Sequence, residues 1–137
     1  MAITFTKLVS NLKHKVSVVE TFQKYNSMDW MDSVKLSLLP KSRIIWESEY
    51  SKLEICSWPP VYSLSGFTDN HDHYVKLLYG TGSLFIVSSK VLQTTRLTPF
   101  ETHKIQLGKD WIICQNSKPM ISLHLYDKTV LQALCLV

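Results

Sequence analysis

Between Phe5 and Phe22 the apolar residues Phe5, Leu8, Val9, Leu12, Val16, Val19 and Phe22 return at steps of three and four. That spacing predicts an amphipathic helix with one stripe turned towards a core. Thr4 or Thr6 is placed to cap its first turn, and Lys7, Lys13, His14 and Lys24 fall on the opposite face. Lys15 falls at the edge of the stripe, where its stem can lie on apolar surface while its amine reaches water. Ser27 heads a second, short helical turn through Met28, Trp30 and Met31.

After Ser33 the period changes from helical to alternating. Val34, Leu36 and Leu38 interleave with Lys35 and Ser37 until Pro40 stops the run, which predicts a strand. Further β-prone runs cover Arg43 to Tyr50, Lys52 to Trp58, Tyr74 to Tyr79, Ser83 to Leu92, Phe100 to Leu107, Asp110 to Gln115 and Met120 to Tyr126. Val61 to Asp72, with Ser63, Ser65, Gly66, Asp69 and Asn70 close together, has the chemistry of a loop. Gly80-Thr81-Gly82 and Gly108-Lys109 look like short hairpin connections, and Asp127 heads a short helix through Val130, Leu131 and Leu134.

The expected architecture is one α+β domain over residues 1–137. A helical part (1–32) precedes a β-rich core (33–126) of about six or seven strands, forming a mainly antiparallel sheet or sandwich, and 127–137 is a tail or short helix. No repeat or βαβ rhythm points elsewhere. A chain of 137 residues buries about two thirds of its unfolded surface without help from disulfides.

Composition narrows the function classes. The longest apolar runs, such as Leu84 to Val87 and Trp111 to Cys114, fall far short of the roughly 20 residues that cross a bilayer. The first residues lack the separate charged and apolar blocks of a signal peptide. Cys56, Cys114 and Cys135 are odd in number and far apart, which fits a reducing compartment. The expected location is the cytosol or nucleus, or the inner face of a membrane, and not the exterior. Net charge is +4, carried by thirteen lysines and only Arg43 and Arg96, so an acidic partner is tolerated while base-specific reading is disfavoured. Alanine occurs only at Ala2 and Ala133, which suggests the A/T-rich coding sequence of a virus or parasite.

Candidate chemistry is sparse. There is no CxxC, HExxH, GxSxG or deaminase signature, and Gly80-Thr81-Gly82 lacks the third glycine of a phosphate loop. His71 and His73 are weak candidates for a metal pair, because imidazoles two apart on an extended segment point the same way. Cys114 and Cys56 sit in apolar strands where a thiol is a small hydrophobe. Arg43 with Trp46, Lys109 with Trp111 and Lys76 with Tyr74 pair bases with aromatics, as RNA-binding sheets do, though none spells an RNP motif.

Three functional readings follow. The first is a non-enzymatic structural or interaction protein, of the type of a small self-associating viral matrix protein. It binds an anionic membrane surface or RNA through Lys7, Lys13, Lys24, Arg43, Lys76 and Lys109, with no cofactor and no small-molecule substrate. The second is an accessory factor that binds protein through an apolar patch of Met28, Trp30, Met31 and Trp58. The third is a metal-dependent enzyme centred on His71 and His73.

Overall fold

The computed structural model describes residues 3–32, 41–59, 63–67, 71–88, 91–106, 109–115 and 119–127. Helix α1 (Phe5–Lys13) starts at Thr4, whose hydroxyl oxygen accepts the Lys7 N–H. Asp29 holds the same end, accepting the Phe5 N–H at 2.6 Å and the Tyr25 hydroxyl at 2.7 Å. The continuous helix expected to Phe22 is broken. Lys15 and Ser17 adopt left-handed φ of 56° and 44°, and the chain restarts as α2 (Val18–Lys24). Ser17 and the β-branched Val16, Val18 and Val19 weaken helix propagation there. The break sets α2 beside α1, where the Asn11 amide donates to the Thr21 hydroxyl at 2.9 Å. Val16 is consequently 52% exposed, whereas Phe5, Leu8, Leu12 and Phe22 are buried. A single 3-10 turn, Asp29–Asp32, follows.

Among the described residues nine strands come next: β1 (Lys41–Glu47), β2 (Ser51–Trp58), β3 (Ser63–Phe67), β4 (Asp72–Tyr79), β5 (Gly82–Ser88), β6 (Val91–Leu97), β7 (Thr102–Ile105), β8 (Asp110–Gln115) and β9 (Met120–Asp127). They form one sheet in the order β1-β2-β9-β4-β7 and a second in the order β3-β8-β5-β6, with every ladder antiparallel. From β2 onward the chain changes sheet at each connection except β5 to β6. That is the topology of a double-sheet jelly roll.

The expectation of an α+β domain is thereby corrected. The helical segments are two short pieces on one outer face of a mostly antiparallel β structure. Two elements were misread. β3 is built from Ser63 and Gly66, small residues that resemble loop chemistry, and the run Ser83 to Leu92 divides between β5 and β6. Gly80-Thr81-Gly82 does not turn a hairpin either, because β4 and β5 belong to different sheets and Gly80, at φ 90°, carries the chain across. The strand expected at Val34 to Leu38 and the helix beyond Asp127 lie outside the described residues.

Burial explains the crossings. β4 is buried from Asp72 to Leu78 and β9 over nearly its whole length, so the centre of the first sheet is covered on both faces, while β1 at its edge stays largely exposed. Outward, Leu53, Ile55, Tyr74, Leu78, Ile121, Leu123 and Leu125 meet Phe5, Leu8, Leu12, Phe22, Tyr25 and Trp30 of the helical segment. Inward, Cys56, Trp58, Val75, Leu77 and Met120 meet Leu84, Ile86, Leu97, Trp111 and Ile113 of the second sheet. Gly66 lies directly under the Trp111 ring: a Cβ there would come within 2.6 Å of Cζ2.

Candidate functional site

The predicted basic residues divide by position. Lys7, Lys13, Lys24 and Arg43 are exposed, and Lys109 is half-buried at the start of β8. Lys24 is held by Glu20 at 2.8 Å. Lys76 is the exception. It is fully buried on the outer face of β4, and its ammonium donates to the carbonyl oxygens of Phe22, Gln23 and Tyr25 at 2.5, 2.9 and 2.6 Å. It closes the C-terminal end of α2, where a cation meets the negative end of the helix dipole. Burial lowers its pKa to about 8. It therefore belongs to the core, because a residue that shares its face of β4 with Tyr74 and Leu78 must face the helices.

Around α1 and β1 the basic residues gather with aromatics. The Lys13 amine sits 5.7 Å from the centroid of Trp46, and that of Lys15 4.4 Å from that of Tyr50. Arg43 pairs with Ile55 and Lys41 with Ser57, which puts both on the side of β1 that faces the helices. A groove of about 490 Å³ runs between the elements, with Phe5, Val9 and Ile45 along it and Lys13 and His14 beside them.

The expected apolar patch is split. Met28 and Met31 are 52% and 57% exposed, but Trp30 and Trp58 are buried at 3% and 2%. Trp30 anchors the 3-10 turn in the core under the helices, and Trp58 points into the barrel.

The barrel interior holds a line of polar groups. On β9, Ser122, His124 and Tyr126 alternate with Leu123 and Leu125 and so share the inward face. The Trp58 indole N–H donates to Ser122 Oγ at 2.8 Å, Ser122 Oγ lies 2.7 Å from His124 Nε2, and His124 Nδ1 lies 2.9 Å from His73 Nε2. With the Ser122 hydroxyl donating to His124, the His124 Nδ1–H donates in turn to His73, an assignment that places every proton of the line except the one on His73 Nδ1. His73 stacks on Tyr126 at 4.4 Å and meets the edge of Trp111 at 4.8 Å.

These histidines are neutral at physiological pH. Burial, reinforced by the neighbouring His124, lowers the His73 pKa well below its ordinary value, and burial with Lys52 nearby lowers that of His124 to about 3. Burial and the Glu54 carboxylate push Tyr126 and Cys56 upward, and both donate to Glu54 Oε1, at 3.3 and 3.6 Å. A cleft of about 650 Å³ opens at this end of the barrel, lined by Glu47, Glu49, Lys52, His71 and Tyr126.

His71 and His73, expected as a metal pair, are neighbours with ring centroids 6.2 Å apart, but they turn to different partners. His71 precedes β4 and packs edge-on against Tyr126 at 5.0 Å, while His73 turns inward to His124. Among the described residues no three His, Cys, Asp or Glu side chains come together to hold a metal ion. A protein zinc site needs at least three such ligands. Reading from sequence offers His124 only as one of several possible further ligands to His71 and His73, and passes over Ser122 and the contact of His124 with His73. Their signal was a polar residue at every second position of an otherwise apolar strand.

No family model and no curated protein matches this chain. Solved structures do. The cupin domain of Schizosaccharomyces pombe Cnp3 superimposes with a TM-score of 0.64 over 77% of this chain and 76% of its own, at 12% identity. The fold is the cupin fold. A cupin superfamily protein from Desulfitobacterium hafniense matches at TM-score 0.55 and 15% identity, covering 69% of this chain and 81% of that one. Peruvianin-I, a cysteine peptidase from Thevetia peruviana latex, matches at TM-score 0.59 and 13% identity over 67% of this chain, which spans 63% of the latex protein. At such identities the likeness extends to the fold alone. No helix among the described residues is long and apolar enough to cross a membrane.

Proposed function

We propose that this cupin-fold domain is a non-enzymatic interaction module that docks on an acidic, phosphate-bearing surface through the side built by α1 and β1. The observation that carries the reading is the use of the two faces of α1. Its apolar stripe is consumed by the core, so the helix does not insert into a partner, while Lys7, Lys13 and the following Lys15 stay exposed, as does Lys41 of β1. Trp46 and Tyr50, each under a lysine amine, support the cations rather than offering bare stacking faces. Such a surface meets phosphate by charge, and lipid headgroups and RNA share that chemistry.

The test is binding to phosphatidylserine vesicles and to a single-stranded RNA, each titrated with salt. Four lysine contacts to single-stranded RNA would give a slope of log affinity on log salt near −2.8, or a loss of about 50-fold between 50 and 200 mM. Lys13→Glu with Lys15→Glu should weaken whichever interaction is found and leave the fold intact, since both side chains are exposed. Binding that ignores salt, or ignores the double variant, refutes the proposal.

A further inference from the structure

We infer that the outer face of the second sheet is the interface of a homodimer. The register places Ser83 beside Arg96 in one outward row, Ile112, Phe85 and Thr94 in the next, and Asp110, Val87 and Leu92 in the third. The middle of this face is apolar and open: Val87 is 39% exposed, Ile112 41% and Leu92 61%, with Phe85 half-buried between them. The first sheet has its outer face covered by the helical segment, so the two sheets differ in what meets them.

The charges on this face select the occupant. Arg96 stands on β6 in the first row and Asp110 on β8 in the third, at opposite corners about Phe85 on the intervening β5. An isologous interface requires a patch to be complementary to itself. A two-fold axis lying between two facing sheets and passing over Phe85, perpendicular to the line from Arg96 to Asp110, sets each Arg96 against the partner's Asp110. Both ion pairs then form around one apolar centre. A second copy meets both ends of this diagonal with charges the chain already carries.

Size sets the expected strength. With strands about 4.8 Å apart and same-face residues about 6.8 Å apart, three rows across four strands present about 400 Å² of sheet. That is about half the ~800 Å² per partner of a standard stable interface, so the dimer is expected in the micromolar range.

Sedimentation equilibrium of the full chain from about 1 µM to about 1 mM tests the inference. The expected result is a reversible transition from 15.8 kDa to twice that mass. Arg96→Asp or Asp110→Arg alone should raise the dissociation constant at least tenfold, because symmetry counts each reversal twice, and the double variant should return to within about threefold of the parent. Leu92→Glu should leave the circular dichroism unchanged and abolish the dimer. A monomer throughout, single reversals without effect, or a double variant that does not recover would each overturn it.

Discussion

Acid should destabilise this domain well before its carboxylates titrate, and the cause lies in the barrel. His124 is fully buried and lies between Ser122 and His73, with its pKa lowered to about 3 by burial. In the unfolded chain a histidine titrates near 6.5, so below that pH the unfolded state binds a proton that the folded state refuses, and stability falls as pH falls towards 3. At pH 5 the loss from His124 alone is about 2 kcal/mol relative to pH 7 and above, and His73, lowered in the same direction, adds to it. With total stabilities of about 5–15 kcal/mol, this is a large fraction. Urea unfolding followed by tryptophan fluorescence should show the midpoint about 1 M or more lower at pH 5 than at pH 7. His124→Gln keeps a donor and an acceptor between Ser122 and His73 but does not titrate, so its midpoint should depend distinctly less on pH. Equal midpoints for the parent at the two pH values, or an undiminished pH dependence in His124→Gln, would refute the reasoning.

Lys76→Met keeps the stem but leaves three carbonyl oxygens at the end of α2 without their donor, and thermal or urea unfolding should report a loss of about 3 kcal/mol. Gly80→Ala puts a Cβ 2.5 Å from the Pro119 carbonyl oxygen at a backbone φ of 90°, so the sheet crossing must shift; a loss of about 2 kcal/mol or more is expected from the urea midpoint. Trp58→Phe removes the indole donor to Ser122 and leaves a cavity where the second ring was, and should cost about 2–3 kcal/mol by the same measurement.

The local devices of this chain were legible from its residues. The stripe of Phe5, Leu8 and Leu12, the cap at Thr4 and the alternation of Leu53 and Ile55 with Glu54 and Cys56 follow from periods of 3.6 and 2, which neighbouring residues determine between themselves. The same reasoning could not see that Gly80 crosses between sheets rather than turning a hairpin, since a short glycine connection serves either purpose. Nor could it place Lys76: its position on β4 looks like any exposed lysine until α2 is laid over that face and presents three carbonyls to it. His73 and His124 are 51 residues apart, and only the pairing of β4 with β9 brings their nitrogens within 2.9 Å. Local periodicity thus determined which residues turn inward on α1 and β2, but not beyond the break at Val16 or in β3. Which remote partners they meet there, and so whether a histidine binds, titrates or simply completes a buried line, depends on register between strands, a quantity that no single segment contains.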